Sequence, residues 1–130
     1  MARKSVISKW IELADSDFDS AHKLLKGEKY LHAIFFCQQA VEKYLKAFLA
    51  RKEIQPLPIH NLIRLCEYAN IKNELSSLQT DFLEELSLYY IKARYPIFKM
   101  KMAKSLSTEH AKRILNETKE MLKWIQEKNI

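Results

Sequence analysis

Tyr89-Tyr90-Ile91-Lys92-Ala93-Arg94-Tyr95-Pro96 is the stretch of this 130-residue chain whose side chains best suit chemistry. Two tyrosines end a helical pattern, and Arg94 follows about one turn later, just before a proline that disturbs the chain. A guanidinium held by helical packing at such a terminus meets a phosphate through its planar fork. It can equally pair across the fold with Glu42 or Asp17. Lys99 and Lys101 follow with further positive charge, and Tyr95 and Phe98 offer faces on which bases can stack.

The charge distribution points to the same stretch. The chain holds 22 Lys and Arg against 16 Asp and Glu, a net charge of +6. The whole excess lies in residues 92–113, where Lys92, Arg94, Lys99, Lys101, Lys104, Lys112 and Arg113 oppose Glu109 alone. An excess confined to one segment predicts an anionic partner there, such as a nucleotide, RNA or an acidic protein surface. A solubilising face is the plain alternative.

Much other chemistry is excluded. Gly27 is the only glycine, so no glycine-rich phosphate cradle or dinucleotide fingerprint can be written. His22, His32, His60 and His110 fall at no metal-ligand spacing, and neither zinc nor bundle di-iron patterns appear. We therefore expect no metal and no cofactor. No serine or cysteine sits in a nucleophile motif. Cys37 and Cys66 lie in apolar helical patterns and read as buried reduced thiols. Asp15, Asp17 and Asp19 alternate along a helix and splay over different faces. Asp17 alone lies near the apolar stripe, where it can partner a basic residue. The basic N-terminus leads into Trp10, Glu12 and Asp15 rather than an apolar core, unlike a signal peptide. No apolar run nears the roughly 20 residues that span a bilayer, so a cytoplasmic protein without a membrane partner is expected.

Five helical segments would position these groups. The first, about residues 5–26, repeats Val6, Trp10, Leu13, Ala14, Phe18, Ala21, Leu24 and Leu25 on one face. Gly27 stands where a left-handed cap is expected. The second, about 30–52, is the clearest, with Ala33, Ile34, Cys37, Val41, Leu45 and Phe48 on one side. Its far side carries Leu31 and Phe35 beside Gln38, Gln39, Glu42 and Lys46. Such a helix is either central in the domain or pressed against a second chain, which makes Leu31, Phe35, Gln39 and Glu42 a candidate dimer or partner face. Pro56 and Pro58 break the pattern, and Pro58 suits the first turn of a short third helix reaching about Tyr68. The fourth, about 75–92, turns Leu75, Leu78, Phe82, Leu86, Tyr89 and Ala93 inward. Residues 97–106 alternate Lys and Met and leave extended, loop and helical states open. The last helix starts at Ser107 or Thr108, with Glu109 in its first turn, and runs to about residue 128. No strand pattern competes. An all-α, antiparallel up-down bundle of four long helices and one short one follows, as a single domain over residues 1–130.

Three blocks of the chain resemble the HEPN family (higher eukaryotes and prokaryotes nucleotide-binding domain). Gln38-Gln39-Ala40-Val41-Glu42-Lys43-Tyr44-Leu45-Lys46-Ala47 is similar to its second-helix signature. Pro58-Ile59-His60-Asn61-Leu62 is similar to its Pro-x-x-His-[Asp/Asn]-Leu turn, and Tyr90-Ile91-Lys92-Ala93-Arg94-Tyr95-Pro96 to its Tyr-x-x-x-Arg-Tyr-Pro block. The resemblance implies a HEPN-like helical bundle forming a symmetric homodimer, often paired with a small nucleotidyltransferase in a toxin–antitoxin module. Active members are metal-independent endoribonucleases with an Arg followed, after four to six residues, by His. Arg94 matches the first position, but Lys99, Met100 and Lys101 occupy the histidine positions. Lysine, protonated up to a pKa of about 10.4, does not replace imidazole near neutral pH. No catalytic residue is therefore assigned beyond the partial match of Arg94. A non-catalytic homodimer binding nucleotide or RNA through Arg94, Tyr95, Lys99 and Lys101 is the leading expectation. A ribonuclease using His110 or His60 brought close by folding is the second, and a purely structural helical adaptor the third.

Overall fold

The structure, a computed structural model, describes residues 2–55 and 58–128. Its elements are α1 (Ala2–Lys26), α2 (Tyr30–Arg51), α3 (Leu62–Tyr68), a 3-10 turn (Lys72–Glu74), α4 (Ser77–Lys92), α5 (Pro96–Ser105) and α6 (Thr108–Gln126). No strand occurs among the described residues. The four long helices form the expected antiparallel bundle. The Tyr30 hydroxyl meets Thr108 Oγ1 at 2.5 Å, and Gln126 Nε2 donates to the Tyr44 hydroxyl at 3.0 Å, so α6 runs alongside α2 in the same direction. Phe35 stacks on Tyr90 at the other end of α4, which runs opposite to both.

α2 is the central helix. Ile34, Val41, Leu45 and Leu49 are fully buried on one side, and Gln38, Glu42 and Lys46 are buried on the other. That settles the ambiguity of its two apolar faces: both are covered by the chain's own elements. Leu31 and Glu42, expected on a dimer or partner face, are buried inside the protomer, while Phe35 and Gln39 are half-buried.

Four other expectations are corrected. Gly27 has no positive φ; Glu28 takes the left-handed position at φ 61°, with its N–H donating to Leu25 and that of Lys29 to Leu24. The same cap closes α2 at Glu53 and α3 at Asn70. The third helix starts at Leu62 rather than Pro58, because Asn61 is its N-cap and accepts from the Arg64 N–H. Pro56 and Leu57, the middle of the expected break, lie outside the described residues. Leu78 is 81% exposed, and the α4 stripe instead runs through Phe82, Leu83, Leu86 and Tyr90. The reason is that Ser76 forms a capping box with Gln79, which places Leu78 in a first turn facing outward. Val6 and Leu13 of α1 are likewise exposed.

Residues 97–106, left open by their pattern, fall mostly within α5, with Pro96 in its first turn. α5 has no buried residue. No described helix is long and apolar enough to cross a membrane.

Candidate functional site

Three parts of the chain bring the site together: α2, the turn before α3 and the end of α4. Glu42, on the covered side of α2, is its buried anchor. Gln38 Nε2 donates to Glu42 Oε1 at 3.1 Å and to the His60 carbonyl at 3.0 Å, which ties the turn to the helix. Lys46 Nζ donates to Glu42 Oε2 at 2.9 Å, and both side chains are nearly inaccessible. These three residues share one face of α2 because they lie four apart. Gln39, the fourth member of the expected face, donates to Gln38 Oε1 at 2.7 Å.

His60 presents Nδ1 to both Glu42 oxygens, at 3.1 and 3.2 Å. A ring nitrogen facing two carboxylate oxygens carries the proton, so Nε2 is the nitrogen left for other partners. The imidazole also stacks on Tyr90, with centroids 4.9 Å apart. Phe35, half-buried, stacks on the same ring at 5.7 Å, nearly parallel, and supports it from α2.

Arg94 completes the cluster. Its guanidinium carbon lies 4.4 Å from the Tyr90 ring centre, and Nη2 donates to the Tyr90 hydroxyl. The expected ion pairs are not made: Glu42 is taken by Lys46 and His60, and Asp17 by Lys43. No carboxylate of the described residues is within salt-bridge distance of Arg94. The same holds for Lys92, Lys99, Lys101, Lys104 and Lys112; of the cations in the 92–113 excess, Arg113 alone is paired with carboxylates of the described residues, Glu85 and Glu117. Tyr95 and Phe98 are exposed and meet edge to face at 6.4 Å.

His60 and Arg94 are therefore neighbours through one phenol ring, and cannot be further apart than the two ring distances laid end to end. His110 is engaged elsewhere, its Nε2 3.0 Å from the Tyr89 hydroxyl and 3.4 Å from Glu85. Burial, and then Glu85, hold the Tyr89 phenol above its usual range. Cys37 and Cys66 are buried and free, and desolvation pushes both thiols up to about 12. Among the described residues no group of three or more His, Cys, Asp or Glu could hold a metal ion.

The family model of the HEPN domain matches residues 7–129. The chain belongs to the HEPN domain family. No curated protein matches it. Among solved structures, this HEPN chain is similar to TT1696 from Thermus thermophilus, with a TM-score of 0.79, 22% identity, and coverage of 93% of this chain and 96% of that one. That likeness is one of fold. Sequence reasoning alone leaves open whether Glu42 faces the domain's own elements or a second chain, and places His60 in the first turn of the expected third helix. The signal that joins them is the co-occurrence of the three sequence blocks, each of which supplies one part of this HEPN cluster: Gln38 and Glu42, His60, and Tyr90 with Arg94.

Proposed function

We propose that this HEPN protein binds RNA or nucleotide phosphate without cutting it, as a homodimer acting with a small nucleotidyltransferase in a toxin–antitoxin-type pair. The observation that carries the reading is Arg94: held over the Tyr90 ring, exposed, and paired with no carboxylate of the described residues, within the segment where the charge excess is concentrated. A guanidinium whose geometry is set beforehand loses little entropy on meeting a phosphate. Lys99 and Lys101 add long-range attraction, and Tyr95 offers a stacking face. The histidine positions that follow Arg94 hold no imidazole, which supports binding over cleavage.

Titration of a labelled single-stranded RNA across a salt series tests it. Wild-type affinity falls as salt rises, and Arg94→Ala weakens it by about tenfold or more, the worth of a charge-assisted pair. Absence of binding to a broad panel of RNAs and nucleotides overturns the reading. An adjacent gene for a small nucleotidyltransferase supports the two-component role.

One observation favours a second reading, as a metal-independent endoribonuclease. His60, anchored through Nδ1 by Glu42, and Arg94 both contact the Tyr90 ring, so Nε2 can take a ribose 2′-hydroxyl proton while Arg94 holds the phosphate under attack. Incubation with RNA in the presence of a chelator decides: cleavage lost in His60→Ala and kept in His110→Ala supports this reading, and an inert wild type ends it.

A further inference from the structure

A groove of about 390 Å³ lies between α3 and α4, and one of its ends adjoins the Arg94 cluster. His60 stacks on Tyr90, and the Leu62 N–H donates to Ser87 Oγ at 3.2 Å, so the two segments run antiparallel. Leading away from that end, Ile91, Leu88 and Glu84 succeed one another along α4, at three- and four-residue spacing. Arg64 and Glu67 stand three residues apart on the facing wall. The groove therefore combines an apolar middle with one guanidinium and two carboxylates. Neither Arg64 nor Glu84 makes an ion pair among the described residues, and Glu67 reaches only Lys72 there, at 3.9 Å.

We propose that this groove is a guanine subsite: it takes the base of the nucleotide whose phosphate meets Arg94, with Glu84 on the Watson–Crick edge and Arg64 on the Hoogsteen edge. The inference rests on the phosphate-binding reading above and names the base that goes with it. Guanine alone of the four RNA bases carries two adjacent donors, N1–H and the N2 amino group, which match the two oxygens of a carboxylate. Its O6 and N7 are two adjacent acceptors, which match a guanidinium. Adenine and cytosine set a ring acceptor beside the amino group, and uracil flanks N3–H with two carbonyls, so each turns a lone pair toward Glu84. The N6 amino group of adenine also meets Arg64 donor to donor. Ile63, Leu88 and Ile91 give the ring apolar surface to lie on. The charges also fix the direction of the nucleotide. Both carboxylates lie toward the end away from Arg94 and repel a phosphate there. The Arg94 guanidinium lies over Tyr90, six residues beyond Glu84, or about 9 Å of helix rise, a span that one nucleotide bridges from phosphate to base.

Calorimetric titration of the full chain with the 5′-monophosphates of guanosine, inosine, adenosine, cytidine and uridine tests this. The guanosine nucleotide is expected to bind about tenfold or more tighter than those of adenosine, cytidine and uridine, the worth of a bidentate base contact. Inosine, which lacks only the N2 amino group, falls between. Glu84→Gln with Glu67→Gln brings the guanosine nucleotide to within about threefold of the adenosine one, and Arg64→Gln narrows the gap as well. These three side chains are exposed, and the guanosine–inosine comparison needs no variant at all. Arg94→Ala weakens all five ligands and keeps their order. Equal affinity for the five, inosine bound as tightly as guanosine, or a preference that survives loss of both carboxylates overturns the guanine subsite while the phosphate reading stands. Binding of none of the five overturns both.

Discussion

Arg94 lies over the ring of Tyr90, one turn earlier in the chain, and donates to its hydroxyl while touching no carboxylate of the described residues. Tyr90 is buried, backed by Phe35 on α2 and flanked by His60 from the turn before α3. The guanidinium is therefore positioned by packing, and its charge remains available. This combination distinguishes it from Arg113, whose charge is absorbed by Glu85 and Glu117.

Tyr90→Phe separates positioning from packing. It keeps the buried ring and removes the acceptor for Arg94, so stability should change by no more than about 1 kcal/mol. RNA affinity should fall several-fold, with the salt slope unchanged because the number of cations is unchanged. Thermal melts and RNA titrations of the same sample check both; equal affinity would show that the hydroxyl does not hold the guanidinium.

Glu42→Gln leaves Lys46 buried without its counter-charge and His60 without its anchor. Loss of one member of a buried pair costs about 3 kcal/mol or more. Urea unfolding measures it. A loss below about 1 kcal/mol would show that solvent reaches Lys46.

Much of this is legible in the residues. The three-and-four spacing of α2 and α6 marks their core faces directly, since Ile34, Val41, Ile114 and Leu122 occupy them. The two-sidedness of α2 is legible too, but not its cause. Whether Leu31 and Glu42 meet another chain or their own depends on where α3 and α4 close over them, and no local pattern encodes that. α4 misleads for a local reason: Leu78 fits the stripe by spacing, but it sits in the first turn set by the Ser76 cap. The cluster at Tyr90 joins residues from α2, the turn before α3 and the end of α4, a proximity that only the tertiary fold creates.

Glu28 occupies a left-handed conformation at φ 61°, which costs an L-residue about 1–2 kcal/mol. Glu28→Gly relieves it and gives back part of the gain through the looser unfolded chain. A net stabilisation of about 1 kcal/mol is expected in denaturant melts. Destabilisation would mean that the Glu28 side chain contributes more than its backbone strain.

The buried thiols set the alkaline limit of stability. Desolvation raises Cys37 and Cys66 from 9.0 to about 12 in the folded chain. Below pH 9 they are neutral in both states and neutral to stability. Between 9 and about 12 the unfolded chain ionises them and the folded chain does not, so stability falls as pH rises, by up to about 1.4 kcal/mol per pH unit for each thiol. Tyr44 and Tyr89, also held above their ordinary range by burial, add to the slope above pH 10. Chemical denaturation from pH 8 to 10.5 reads it, and Cys66→Ala should make the slope shallower. An unchanged slope would contradict the assignment.

The most direct test of Arg94 as the anion-binding group is its own side-chain signal. In a 1H–15N NMR titration with single-stranded RNA or a nucleoside monophosphate, the Arg94 Nε–Hε resonance should shift progressively to saturation. The Arg113 resonance, held between two carboxylates, should stay in place. Saturable binding of either ligand with the Arg94 resonance unmoved would contradict the account.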